Sequence, residues 1–121
     1  MPFAAAGDLT VSPTYVPDLV NATLDLLIDG ESGIWHLANR GAVTWAELAR
    51  RAACMAGVDG SLVRECPHTE LGYAAPRPSF AALASERGAL MPPLEDALAR
   101  YAHTRAWMQD ASAIPFALAA E

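Results

Sequence analysis

The sequence predicts an α/β fold: a small three-stranded, partly parallel sheet with about four helices packed against it. Three observations carry this expectation. Short β-prone runs alternate with segments of helical apolar period, in the order β-α-β-α-β-loop-α-α. Helix start and stop residues stand at the ends of the periodic segments. The length of 121 residues fits one small domain spanning 1–121 and leaves no room for two.

The first strand is expected over residues 9–11. "SPT" then turns the chain, with Thr14 placed as an N-cap and Pro17 tolerated in the first helical turn. In the helix that follows, Val16, Leu19, Val20, Thr23, Leu24, Leu27 and Ile28 share one face, expected to point inward. Asp18, Asn21, Asp25 and Asp29 share the opposite, solvated face. Gly30 is placed to end the helix in the left-handed conformation.

"GIWHLA", residues 33–38, is a short apolar run bounded by glycine and "NRG", which favours a buried strand. Thr44 and Glu47 then have the spacing of a capping box. The helix behind them is expected to turn Trp45, Leu48, Ala49, Ala52 and Ala56 inward and to stop at Gly57. "SLVREC", residues 61–66, is the third strand, closed by Pro67. Residues 67–82 form a long Pro-containing loop, a length that is uncommon in small domains and often functional. A short helical piece is expected at "ALASERG", residues 82–88. The last helix starts at Pro93 and turns Leu94, Ala97, Leu98, Tyr101 and Met108 to one side. The tail, 109–121, ends in "SAIPFALAAE", which reads as a frayed end or as an apolar docking segment.

Composition narrows the function classes. The net charge is −6, which repels phosphate backbones and argues against nucleic-acid binding. All eight basic residues are arginines, so Schiff-base, P-loop and Tyr-x-x-x-Lys lysines are excluded within these residues. Cys54 and Cys66 form no CxxC pair and read as free thiols in a reducing compartment. "MPFAAAGDLT" lacks a basic n-region, and no apolar run approaches membrane-spanning length. A cytoplasmic location with no membrane partner is the expectation. Hydrophobic residues make up 53% of the chain and charged ones 18%, rich for so small a unit; either a large core or a face for a partner must absorb them.

Four constellations of residues are candidates for function. "VTWAELARRAACMAGVDGSLVREC" has the outline of a helix-turn-helix, yet its second segment is β-prone with a single arginine, unlike a recognition helix. Cys66, His68, Glu70 and His36 do not have the spacing of a zinc site. No serine or histidine lies in a nucleophile setting. Arg77 is the informative one. Flanked by Pro76 and Pro78, its backbone is restrained, and a guanidinium presented this way suits bidentate contact with phosphate or carboxylate. An exposed arginine in a stiff loop is the plainer account of the same residues.

Taken together, "VSPTYVPDLVNATLDLL", "GIWHLANRGAVTWAELARRA", "APRPSFAALASERG" and "LMPPLEDAL" resemble, in this order and spacing, the C-terminal part of the dTDP-4-dehydrorhamnose reductase family. That family belongs to the extended short-chain dehydrogenase/reductases. The resemblance covers about residues 8–102. It implies a substrate lobe that closes over a nucleotide sugar, with NADPH or NADH held by a Rossmann part that these residues do not include. The Gly-rich fingerprint and the catalytic Tyr-x-x-x-Lys would lie in that other part, so no catalytic, cofactor-binding or metal-binding residue is expected here, and the chain is expected to be catalytically incomplete alone. By the same resemblance Arg77 matches an Arg-Pro loop near the substrate diphosphate, and Thr14 matches a turn at the cleft edge. Ala81 stands where the family usually has Ser, and Arg87 where it often has Lys. The partners implied are a nucleotide sugar and either a Rossmann-domain partner or further copies of the chain in a homo-oligomer. A non-catalytic interaction module that kept the fold and lost the ligand is the alternative.

Overall fold

The computed structural model describes residues 2–112, the last six as main chain only. The expectations for Met108 and for the apolar end of the tail fall outside these described side chains and residues. Five strands and three α-helices follow one another: β1 Phe3–Ala6, β2 Thr10–Val11, α1 Val16–Ile28, β3 Val43–Thr44, α2 Trp45–Met55, β4 Val63–Cys66, β5 Phe80–Ala81 and α3 Leu94–Ser112. The α/β class holds.

The strands form two small sheets. In the three-stranded sheet, ordered β3-β2-β5, β2 is antiparallel to β3 and parallel to β5. The number of strands and the mixed direction match the expectation, but only β2 is a member foreseen from the sequence. β4 pairs instead with β1 in a parallel two-stranded sheet, Phe3 opposite Val63 through Ala6 opposite Cys66. β1 went unseen because "FAAA" has neither alternation nor β-branched residues. Its alanines suit another purpose: Ala5, Ala6 and Ala46 are buried, so α2 lies close over the β1–β4 ladder.

Caps explain the helix ends only in part. Thr44 Oγ1 accepts the Glu47 N–H at 3.2 Å, as half of a capping box. The Glu47 carboxylate does not return to Thr44; it pairs with Arg51, which also reaches Glu95 on α3. Gly57, at φ +68°, ends α2, and Gly30, at φ +69°, ends α1. Thr14 does not cap α1. Tyr15 takes the cap position without a side-chain bond, and the Thr14 hydroxyl donates to the Ser12 carbonyl at 3.4 Å. Pro17 sits in the first turn, where its missing N–H costs no hydrogen bond.

The face of α1 that packs inward is not the apolar stripe. Asp18 and Ala22 are buried and Leu26 half-buried, one helical turn apart from each other. Val16, Val20, Leu24, Leu27 and Ile28 are exposed, Ile28 by 81%. The reason lies in Asp18. Its carboxylate receives both terminal nitrogens of Arg100 and the Nδ2 of the fully buried Asn39. Asn39 Oδ1 also accepts the Tyr15 N–H at 2.7 Å, and its Nδ2 reaches the Pro92 carbonyl. A buried charge has to be met by partners, and these partners fix the rotation of α1.

Three further expectations are corrected. "GIWHLA" is not a strand and not buried: Ile34 is 82% exposed and His36 is exposed. Among the described residues, no main-chain group of 33–38 finds a main-chain partner. A β-prone run becomes a strand only beside an open ladder, and here none is adjacent. "ALASERG" is not helical; seven residues without a cap fall short of what nucleation requires. In α2, Trp45, Ala52 and Ala56 are exposed, and Ala46 is the buried position.

Candidate functional site: the Arg77 loop and the turn after β2

The loop between β4 and β5 is anchored at both ends. Next to β4, His68 donates its main-chain N–H to Asp8 Oδ1 at 2.9 Å, and its Nδ1 meets Asp8 Oδ2 at 2.8 Å. The hydrogen bond from His68 holds the Asp8 carboxyl below its ordinary range. Next to β5, the Thr10 N–H bonds the Ser79 carbonyl, and the Leu83 N–H bonds Ser12 Oγ at 2.8 Å. Between these anchors Gly72, at φ +65°, reverses the chain, and the Tyr73–Arg77 stretch projects outward.

Arg77 stands over the ring of Tyr73, its Cζ 4.9 Å from the centroid. Such stacking steadies a guanidinium and leaves its N–H edges open. Among the described residues Arg77 makes no ion pair, whereas Arg50, Arg51, Arg64, Arg87 and Arg100 each hold a carboxylate. On a chain of net charge −6, a restrained arginine that no acid has claimed is suited to an anionic ligand.

Thr14 is not beside it. Thr10 lies opposite Phe80 in a parallel ladder, so Arg77 precedes the N-terminal end of β5 and Thr14 follows the C-terminal end of β2. The two candidate residues therefore occupy opposite ends of the ladder. The residue that meets the "SPT" turn is Leu83, through Ser12, a contact that sequence spacing gave no means to find. A cavity of about 200 Å³ lies between residues 36–41 and 83–91, with Leu37, Leu83 and Leu90 among its walls; neither Arg77 nor Thr14 lines it.

The residues of the remaining constellations lie elsewhere in the fold. Cys66 is buried against the Ala5 carbonyl and Cys54 is exposed. Among the described residues no three His, Cys, Asp or Glu side chains converge as metal ligands. No helix of the described residues is long and apolar enough to cross a membrane.

Fold and loop define a small α/β lobe that presents an arginine from a Pro-stiffened loop. Residues 3–105 match the family described as the RmlD substrate binding domain. The chain belongs to that family. It is 40% identical over 93 residues to the dTDP-4-dehydrorhamnose reductase of Mycolicibacterium smegmatis, covering 74% of this chain and 28% of that protein. It is 32% identical over 71 residues to the dTDP-4-keto-6-deoxy-D-glucose reductase of Streptomyces niveus, covering 59% and 25%. The crystal structure of dTDP-4-dehydrorhamnose reductase from Bacillus anthracis, in complex with NADP, superposes with a TM-score of 0.75 at 28% identity, over 83% of this chain and 37% of that one. The chain thus spans about a quarter to a third of the length of the curated relatives it matches.

Proposed function

We propose that this chain is the nucleotide-sugar-binding lobe of a dTDP-4-dehydrorhamnose reductase-like protein, catalytically incomplete by itself. Arg77 is the contact to the ligand's diphosphate. The observation that carries this is the geometry of Arg77: restrained by two prolines, stacked on Tyr73, and without a carboxylate partner among the described residues. A fork of N–H donors with one face covered fits two phosphate oxygens at once. Thr14, at the other end of the ladder, is assigned to the edge of the cleft rather than to the same phosphate. NADPH or NADH is the cofactor of the larger assembly, and these residues hold no dinucleotide fingerprint to bind it.

Val16, Val20, Leu24, Leu27 and Ile28 form an exposed stripe on α1, and Ile34 in the unpaired segment 33–38 is exposed as well. We assign this face to the dinucleotide-binding body; without that body, a second copy of the chain covers it. The relatives' additional length supports the assignment, as does the absence of charge on the stripe.

The alternative, a non-catalytic interaction module, is favoured by the same apolar face and by the openness of the Arg77 loop. Calorimetric titration with dTDP and dTDP-rhamnose decides between the two. Saturable binding, weakened tenfold or more by Arg77→Ala, is expected of the lobe. An absence of binding at millimolar ligand would leave the interaction module.

A further inference from the structure

The stretch from Leu83 to Leu90 crosses the surface with few tethers. Among the described residues no main-chain N–H from Ala84 to Leu90 has a main-chain partner, and Leu83 and Leu90 are half exposed. Leu83 is pinned to Ser12. The far end is held at the buried Met91, whose carbonyl accepts from Arg40 Nε at 3.2 Å, and where the Arg40 main chain pairs with Pro92 and Leu94. Between these points one side chain does the fastening. Arg87 Nη1 donates to the Ser32 carbonyl at 2.8 Å and lies 3.5 Å from the Ile34 carbonyl; Nη2 meets Glu31 Oε2 at 3.2 Å. Its guanidinium stands over Trp35, with Cζ 4.0 Å from the ring centroid. All four partners belong to the turn that leaves α1.

Gly33 completes the fit. It has φ +88°, and a Cβ there would stand 3.3 Å from Arg87 Nη1. The turn is shaped to receive a fork. A lysine ammonium supplies a point charge without the planar set of donors that reaches two carbonyls and a carboxylate together.

We propose that Arg87 is a positioning residue: it ties the stretch 83–90, which follows β5 and the Arg77 loop, to the turn at 31–35. The 200 Å³ cavity lies next to the tie in sequence: Leu83–Ser85 and Gly88–Met91, on either side of Arg87, form one wall, and residues 36–41, which follow the turn, supply the other. Through β5 the tied stretch is continuous in chain with the Arg77 loop. Only the consequence for ligand affinity rests on the reading of Arg77 given above; the tie itself does not.

Limited proteolysis of the full chain tests the tie directly. In Arg87→Met, cleavage by proteinase K within 83–90 is expected to be about tenfold faster, with α2 and β4 as resistant as in the wild type. Arg87→Lys, which keeps the charge over Trp35 and loses the fork, is expected to fall between. Unchanged cleavage at 83–90, or uniform acceleration along the chain, overturns the proposal. A parallel titration with dTDP separates the two readings. If Arg77→Ala weakens binding and Arg87→Met does so about threefold, both stand. Weakening by Arg77→Ala alone removes the positioning role. No effect of Arg77→Ala removes the diphosphate reading and leaves the proteolysis result to judge Arg87.

Discussion

Arg100 on α3 meets Asp18 on α1 with both terminal nitrogens, at 2.6 and 2.7 Å, across 82 residues of chain. The same guanidinium lies over Tyr15, 5.0 Å from its centroid, and bonds Asp96 one turn back along α3. Hydrogen bonds from Arg100, then from Asn39, hold the Asp18 carboxyl below its ordinary range against the opposing effect of burial. A depressed carboxyl stabilises the fold above its unfolded pKa, near 4, and that contribution is lost as pH falls through the lower folded value. The chain is therefore expected to lose stability below about pH 4, and Asp18→Asn is expected to flatten this acid limb. Urea melts at stepped pH measure it. An acid limb of equal depth in Asp18→Asn would place its origin elsewhere.

Asn39 is the second group whose removal is expected to be costly. Its amide closes three contacts at once, to Tyr15, Asp18 and Pro92. Asn39→Ala leaves a main-chain N–H, a carbonyl and part of a carboxylate without that partner, for an expected loss of about 2–3 kcal/mol. Asn39→Asp sets two carboxylates together at neutral pH. Like charges raise a folded pKa, so this variant should regain stability on acidification from pH 7 to 5, where the wild type does not. Thermal melts across that range distinguish the two. Parallel profiles would mean that the introduced charge escapes to solvent.

How much of this was legible in the sequence follows from the range of the interactions. Caps and stops are local, and Thr44, Gly30 and Gly57 act as their sequence context indicates. The rotation of α1 is not local. Its 3.6-residue period gives an apolar face correctly but cannot say which face meets this chain, because that is set by Arg100 and Asn39, distant in sequence. The same holds for "GIWHLA": composition marks a strand, and only a neighbouring ladder makes one. β1 was illegible for the opposite reason, since its alanines carry no strand signal and are used for close packing. Arg77 was legible as a restrained arginine. Its place at the opposite end of the ladder from Thr14 depends on the β2–β5 register, which no spacing reveals.

Turnover by this chain alone is expected to be absent. Reducing a 4-keto sugar needs a hydride donor held against the carbonyl and an acid to protonate the oxygen. The chain has no lysine, hence no Tyr-x-x-x-Lys pair, and no Gly-rich dinucleotide turn. Following NADPH absorbance with dTDP-4-dehydrorhamnose should give the buffer rate. A rate that scales with protein concentration and survives repeated purification would require a catalytic group not recognised among these residues.

Association is the last expectation, and it follows from the exposed side of α1. Leu24, Leu27 and Ile28 are 51%, 69% and 81% exposed, and Ile34 in the segment that follows is 82% exposed. Monomers rarely leave a contiguous apolar patch of more than a few hundred Å² uncovered, and contacts between domains of one protein cover about 600–1,500 Å². Without a partner body, two copies placing this face against itself about a twofold axis are the simplest cover. Sedimentation equilibrium at micromolar concentration should then show a dimer or larger species rather than 12.8 kDa. Leu24→Glu with Leu27→Glu should return the monomer. Both positions are exposed in the single chain, so the pair should change monomer stability by about 1 kcal/mol or less. A wild-type chain that sediments at monomer mass and binds no hydrophobic dye would show that the α1 face is content in water.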